Sequence, residues 1–260
     1  MTTLLQPGDP EPVGLLRSKA AAPIVLLGDH AGRAVPQSLG TLGLPDAELS
    51  RHIGWDIGIH GVSTRLSEAL GAPYVFQRYS RLVIDCNRRP GHPQSLAPIS
   101  DTTEVPGNLV VSDEARAARE REIFHPYQDA VAELLATRRA RGLPTVVFAM
   151  HSCTDALRAD GVHRPWEIGI LADQDWRVGD ALIEILREET PFTVGRNEPY
   201  VASALSDYTI TTHAEGAGLP YAEIEIRQDL IATDRGQAEW ATLCARLFPR
   251  AVERSGVLAG

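Results

Sequence analysis

Two short, uninterrupted apolar runs constrain this chain most, because each stops at a histidine: Ile24-Val25-Leu26-Leu27 leads through Gly28 and Asp29 to His30, and Val146-Val147-Phe148-Ala149-Met150 leads directly to His151. A run of that length without polar alternation marks a strand covered on both faces. Doubly covered strands belong to sheets layered between helices, and ligands in such open α/β sheets bind off the carboxyl ends of the strands. Asp29-His30 and His151-Ser152-Cys153 therefore predict one polar rim. A third apolar stretch, Arg81 to Asp85, reads as a strand ending in Cys86-Asn87-Arg88 and adds to that rim.

The rest of the chain interleaves the two periodicities. Helices are expected over Asp46 to Ile53, over Ile57 to Leu70 with Gly71 as its stop, from Ser112 to about Arg141 with Pro126 dividing it, over Trp176 to Glu189, and over Gln237 to Ser255. Further strands are expected at Pro73 to Gln77, Glu167 to Ala172, Phe192 to Val194 and Tyr221 to Arg227. Residues 1 to 21 contain three prolines and read as an extended arm or loop. Gly91 to Asn108 is long and aperiodic, a candidate lid. The expectation is one α/β domain spanning 1–260, a mixed and mostly parallel sheet flanked by helices.

Charge and cysteine usage narrow the function. A net charge of −9 with no long Lys/Arg block argues against nucleic acid and anionic membranes as partners. No apolar run approaches eighteen residues, and the first twenty residues lack a signal-peptide pattern, so a cytoplasmic protein is expected. Cys86, Cys153 and Cys244 form no CxxC pair, so any metal must be held by histidine and carboxylate. There is no Walker A loop and no Gly-x-Gly-x-x-Gly fingerprint. Two histidines and a carboxylate, with water in the fourth position, form a common catalytic zinc set, and His30 and His151 supply the imidazoles. Glu223 and Glu225, two apart on a strand, share a face, which raises one carboxyl pKa as a general base requires. Arg227 is on that face too and is a competing salt-bridge partner.

The segments LLGDHAGRAVP, RHIGWDIG, SRLVIDCNR, AMHSCTD, RPWEIGIL and EIEIRQDLI, in that order, resemble the motifs of N-formylglutamate amidohydrolases. That family is similar in fold to zinc carboxypeptidases and aspartoacylases, with a phosphorylase/hydrolase-like core. The resemblance implies one Zn²⁺ ion, or another divalent metal, and a metal-activated water. It makes His30 and His151 metal ligands. Arg33 stands where a His-x-x-Glu motif would place its carboxylate, so Asp56 becomes the third ligand, with helix capping as the competing reading. The resemblance also makes Glu225 the catalytic glutamate, with Glu223 beside it and Arg81 polarising a carbonyl or orienting Asp85. Asn87 and Arg88 then clamp a substrate carboxylate, a task suited to the planar guanidinium fork. Arg164, Trp166 and His213 are further cleft candidates, while Cys153 lacks the setting of a nucleophile. The expected reaction is hydrolysis of an N-formyl or N-acyl amino acid. The rivals are a carboxypeptidase- or amidase-like hydrolase of another acidic amide, and a binding protein without turnover.

Overall fold

The computed structural model describes residues 3–259. Strand β1 (Val13–Leu16) is followed by β2 (Ile24–Gly28), the short helix α1 (Asp46–Leu49), α2 (Ile59–Leu70) and β3 (Tyr74–Gln77). A small ribbon of β4 (Ile99–Ser100) and β5 (Thr103–Glu104) precedes α3 (Pro106–Leu109) and α4 (Asp113–Arg119). A π-helical turn, Glu120–Phe124, joins α4 to α5 (His125–Ala140), so the chain departs from α-helix in the turn before Pro126. Then come β6 (Val146–Cys153), β7 (Ile168–Leu171), α6 (Arg177–Glu189), β8 (Val194–Arg196), β9 (Tyr221–Arg227) and α7 (Asp234–Ser255).

Seven strands make one mixed sheet in the order β1-β3-β2-β6-β9-β7-β8. The central neighbours β3, β2, β6 and β9 are mutually parallel, whereas β1 and β7 pair antiparallel with β3 and β9. The sheet is α/β and mostly parallel, as the uninterrupted apolar runs require. Alternation along the strands sorts the core into two layers. Leu26, Phe148, Met150, Ile224 and Ile226 face the layer containing Val62, Leu182 and Phe248 of α2, α6 and α7. Val25, Leu27, Val147, Ala149 and Tyr221 face the opposite layer, with Tyr127, Val131 and Leu134 of α5.

Three expectations are corrected. Val13–Leu16, inside the segment read as an arm or loop, is an edge strand; residues 1 and 2 of that segment lie outside the described residues. Arg81 to Asp85 is not a strand but a run of turns, with Val83 N–H donating to Ser80 O and Arg88 N–H to Asp85 O. Its apolar character reflects burial, since Leu82, Val83 and Ile84 are all buried. The expected helix over 46–53 stops at Leu49, where Ser50 begins a chain of turns. The Gly91 to Asn108 segment is pinned: Asn108 donates to Leu82 O at 2.8 Å and Ala97 O at 3.0 Å, and Arg51 pairs with Asp101 at 2.6 Å.

Candidate active site

The site grows out of one face of the sheet changing character along its strands. On β6 the face that buries Val147 and Ala149 next carries His151, and on β9 the face that buries Tyr221 next carries Glu223 and Glu225. Parallel register sets Glu225 directly opposite His151 and Glu223 opposite Ala149. On the other side of β6 from β9, the neighbouring strand β2 ends at Gly28 and hands over to Asp29 and His30, both buried. Asp56 is tied to this end because its N–H donates to His30 O at 3.0 Å. The helix that follows begins after Gly58, whose φ of 80° and contact with the Ile231 carbonyl leave no room for a Cβ. Asp56 therefore does not cap α2, and its carboxylate is left for other partners.

Those partners are the two histidines. Asp56 Oδ2 lies 2.9 Å from His151 Nδ1 and 3.6 Å from His30 Nδ1. On the far side of each ring stands a second carboxylate: Asp85 Oδ1 is 2.7 Å from His30 Nε2, and Asp29 Oδ2 is 3.3 Å from His151 Nε2. Asp85 also accepts from Arg81 at 2.8 Å and from the Asn87 N–H at 2.9 Å, while Asp29 accepts from the Thr209 hydroxyl at 2.6 Å. Burial works against charge on both imidazoles. The carboxylates around His30 nonetheless raise its pKa, and those around His151 raise it well above the ordinary range. Asp56 is held low despite its burial, first by His30 and by its hydrogen bond to His151.

This donor set fits a divalent cation. His30 Nδ1 is buried with no hydrogen-bond partner among the described residues, and donor atoms of His30, Asp56 and His151 lie within 4.8 Å of one another. Tetrahedral zinc with bonds of about 2.0–2.1 Å separates its ligands by about 3.3 Å, close to the two Asp56 to histidine distances. The hydrogen-bonded Asp85 behind His30 is the arrangement that orients a ligating histidine and fixes its tautomer, while Asp29 stands 3.3 Å from His151 Nε2 as a charge neighbour.

A cavity of about 290 Å³ opens over this cluster, lined by His30, His151, Glu223 and Glu225 below and by Arg81 and Arg88 at its sides. Asn87, Tyr200, Val201, Ser206 and Asp207 complete the wall. Burial raises the Glu225 carboxyl to about 7 and pushes Glu223 well above the ordinary carboxylate range, with Asp207 adding to the latter. The Oε2 atoms of both are buried without hydrogen-bond partners. Arg227 is not their counter-ion, because it pairs with Asp229 at 2.8 Å. Asn87 is largely engaged by its surroundings: its carboxamide oxygen accepts from the Tyr208 and Thr209 N–H groups, and its amide donates to Asp207. Arg88 donates through one nitrogen to Ser206 O, Asn87 O and, at 3.4 Å, Asp207 Oδ1, and its side chain lines the cavity.

The remaining candidates separate. Arg164 stands behind the wall, its guanidinium donating to the Tyr200 hydroxyl at 2.8 Å and lying over the Tyr200 ring. Trp166 packs beside Gly195, outside the cavity lining. His213 is not brought to this cavity: its Nε2 is 2.7 Å from Gln128 Oε1, and its ring lines a different hollow beside α5. Cys153 is buried, and burial drives its thiol pKa upward, the opposite of what a thiolate nucleophile needs. Sequence reasoning missed Tyr200, Ser206, Asp207 and Thr209, which sit in an aperiodic segment with no motif of its own. The roles of Asp29 and Asp85 were signalled only by their position at apolar segment ends.

The N-formylglutamate amidohydrolase family model matches residues 22–232. The chain belongs to that family. Its members are amidohydrolases, and the matched span contains every residue of the cavity described above. The crystal structure of gene product Atu2144 from Agrobacterium tumefaciens superposes with a TM-score of 0.92 at 38% identity, covering 96% of this chain and 98% of that one. The N-formylglutamate amidohydrolase from Ralstonia eutropha JMP134 shares the fold, with a TM-score of 0.68 at 20% identity over 96% of this chain and 100% of its own. No curated protein matches the chain. Among the described residues, no helix is long and apolar enough to cross a membrane.

Proposed function

We propose that this chain hydrolyses the amide bond of an N-formyl or N-acyl amino acid of the N-formylglutamate type, using a divalent metal held by His30, Asp56 and His151. The observation that carries the reading is the β6–β9 register, which sets the buried Glu225 carboxylate beside His151 at the mouth of the His-Asp-His cluster. A zinc ion there would act as a Lewis acid, lowering the pKa of a water and polarising the scissile carbonyl.

The chain's own residues account for the rest. Glu225, with a pKa raised to about 7 and a free Oε2, is poised to accept a proton from water and return it to the leaving amine. Burial and the neighbouring Asp207 favour the neutral form of Glu223, which can donate a hydrogen bond without adding a second negative charge. Asp85 holds the His30 imidazole in orientation, and Asp29 places a negative charge beside His151. Arg88 takes the substrate carboxylate, and Arg81 also lines the cavity. Asn87 serves this grip indirectly by shaping the 206–209 segment against which Arg88 is braced. Carboxylate selectivity follows from Arg88, and the burial of Glu225 keeps bulk water from its carboxylate.

The test is formate release from N-formylglutamate by metal-supplemented protein. The Glu225→Gln variant is expected to lose about 10²-fold or more in kcat while keeping its metal. Equal rates for the variant and the parent chain would overturn the assignment of Glu225. Turnover that persists after exhaustive chelation would overturn the metal.

A further inference from the structure

The cavity over the His-Asp-His cluster has a neighbour. A second hollow of about 370 Å³ shares two wall residues with it, Arg81 and Tyr200, so the two adjoin across that pair. Its walls come from three places: Ile53 and His52 after α1, Ser100 to Thr102 at the tip of the β4–β5 ribbon, and Leu157 with Ala159 after β6. The wall is built rather than incidental. Asp101 at the ribbon tip takes Arg51 at 2.6 Å and the Ala159 N–H at 3.1 Å, which locks the three segments to one another.

The chemistry of this hollow differs from that of its neighbour. Its one carboxylate, Asp101, is matched by Arg51, and burial keeps the His52 imidazole neutral at ordinary pH, its pKa lowered to about 4. What remains for a ligand is the Ile53, Leu157 and Ala159 side chains, the Tyr200 ring, and the hydroxyls of Ser100 and Thr102. The only cation not matched by a wall carboxylate is Arg81, at the junction, and it already serves Asp85. A substrate carboxylate therefore belongs at the Arg88 end of the first cavity, and an uncharged, partly apolar group belongs here.

We propose that this second hollow is an acyl subsite, and that the enzyme prefers N-acyl amino acids whose acyl chain of about three to six carbons passes between Arg81 and Tyr200, over the N-formyl compound. The inference rests on the function proposed above and specifies its substrate. A formyl group ends at the scissile carbonyl and leaves the hollow unused. Each methylene buried in an apolar site contributes about fourfold to transition-state binding, so three added carbons can supply tenfold or more even on a wall that is partly polar.

The experiment compares kcat/KM for N-formyl-, N-acetyl-, N-butanoyl- and N-hexanoylglutamate with the metal-loaded full chain and with Ala159→Trp. Ala159 is exposed at the rim, so an indole there fills the hollow without entering the core. The butanoyl substrate is expected to exceed the formyl one by about tenfold or more. Ala159→Trp should erase that advantage while leaving the formyl rate unchanged. Leu157→Asp, which puts a charge on the same wall, should also erase it. A formyl substrate that is fastest, with rates falling as the chain lengthens, would overturn the subsite and leave the amidohydrolase reading intact. So would an unchanged butanoyl preference in both variants. Hydrolysis of none of the four would overturn the function itself, and the subsite with it.

Discussion

Replacing Asp85 by Asn isolates the role of the carboxylates behind the histidines. Asp85 is buried, and its two oxygens do different work. Oδ1 lies 2.7 Å from His30 Nε2 and accepts from the Asn87 N–H at 2.9 Å, while Oδ2 accepts from Arg81 at 2.8 Å. An asparagine has one acceptor oxygen and one NH₂ for the same three donors. Facing the NH₂ toward Arg81 sacrifices one bond, and facing it toward His30 and the Asn87 N–H sacrifices two, so the oxygen stays with His30. The variant then loses a charge-assisted bond worth about 1.5–3 kcal/mol and leaves Arg81 without that partner. His30 also loses the negative charge that raises its basicity. Removal of such an outer partner of a ligating histidine lowers metal affinity about 10–100-fold. Two assays separate the effects: competition of the protein with a metal-binding dye for Zn²⁺, and urea unfolding of the metal-free protein. Zinc affinity within a factor of about two of the parent chain would refute this account of the metal site, whatever the change in stability.

Other outcomes follow from the same geometry. Arg88→Ala should raise KM for N-formylglutamate about 10–100-fold with a smaller loss in kcat, measured by steady-state formate release, because a charged hydrogen bond to the substrate carboxylate is lost. His213→Ala should change kcat/KM by less than about threefold, since its ring lines another hollow and meets Gln128 rather than substrate. The Glu48 carboxyl is held down to about 2 by Arg51, Thr103 and Arg158. Its contribution to stability is full above the ordinary glutamate range and is lost as pH falls from about 5 toward 2. With 19% of that side chain exposed, the contribution is about 1–2 kcal/mol after solvent screening. Urea unfolding of Glu48→Gln should accordingly show a shallower loss of stability over that pH window than the parent chain.

What the sequence revealed tracks burial. Strands β2, β6 and β9 are covered on both faces, so their side chains had to be apolar without interruption until the point where the site begins. That is why His30, His151, Glu223 and Glu225 stood out, and Tyr221–Arg227 matches the expected strand residue for residue. β1 escaped because it is an edge strand of four residues beside a proline-rich stretch, too short to display a period. Its Gly14 marks a tertiary fact that no local pattern carries: the Phe76 ring occupies the space where a Cβ would stand, 2.0 Å away. Leu82, Val83 and Ile84 misled for the converse reason, since buried turns are as apolar as buried strands.

The site divides along the same line. Residues at strand ends were identifiable from their position after an apolar run. Tyr200, Asp207 and Thr209 were not, because only the folded chain returns that aperiodic segment to the cavity wall and to Asp29. Asn87 lines the cavity, but its carboxamide oxygen is committed to the backbone of 208–209, and that depends on a contact 121 residues away in sequence.

The central claim is that His30, Asp56 and His151 together hold the metal on which hydrolysis depends. The most direct test is the number of zinc equivalents retained per chain after equilibrium dialysis against limiting free Zn²⁺, for the parent protein and for the His30→Ala/His151→Ala double variant. The account predicts about one equivalent for the parent and a fall to near zero for the variant, with circular dichroism unchanged. Equal occupancy in the two proteins would contradict it.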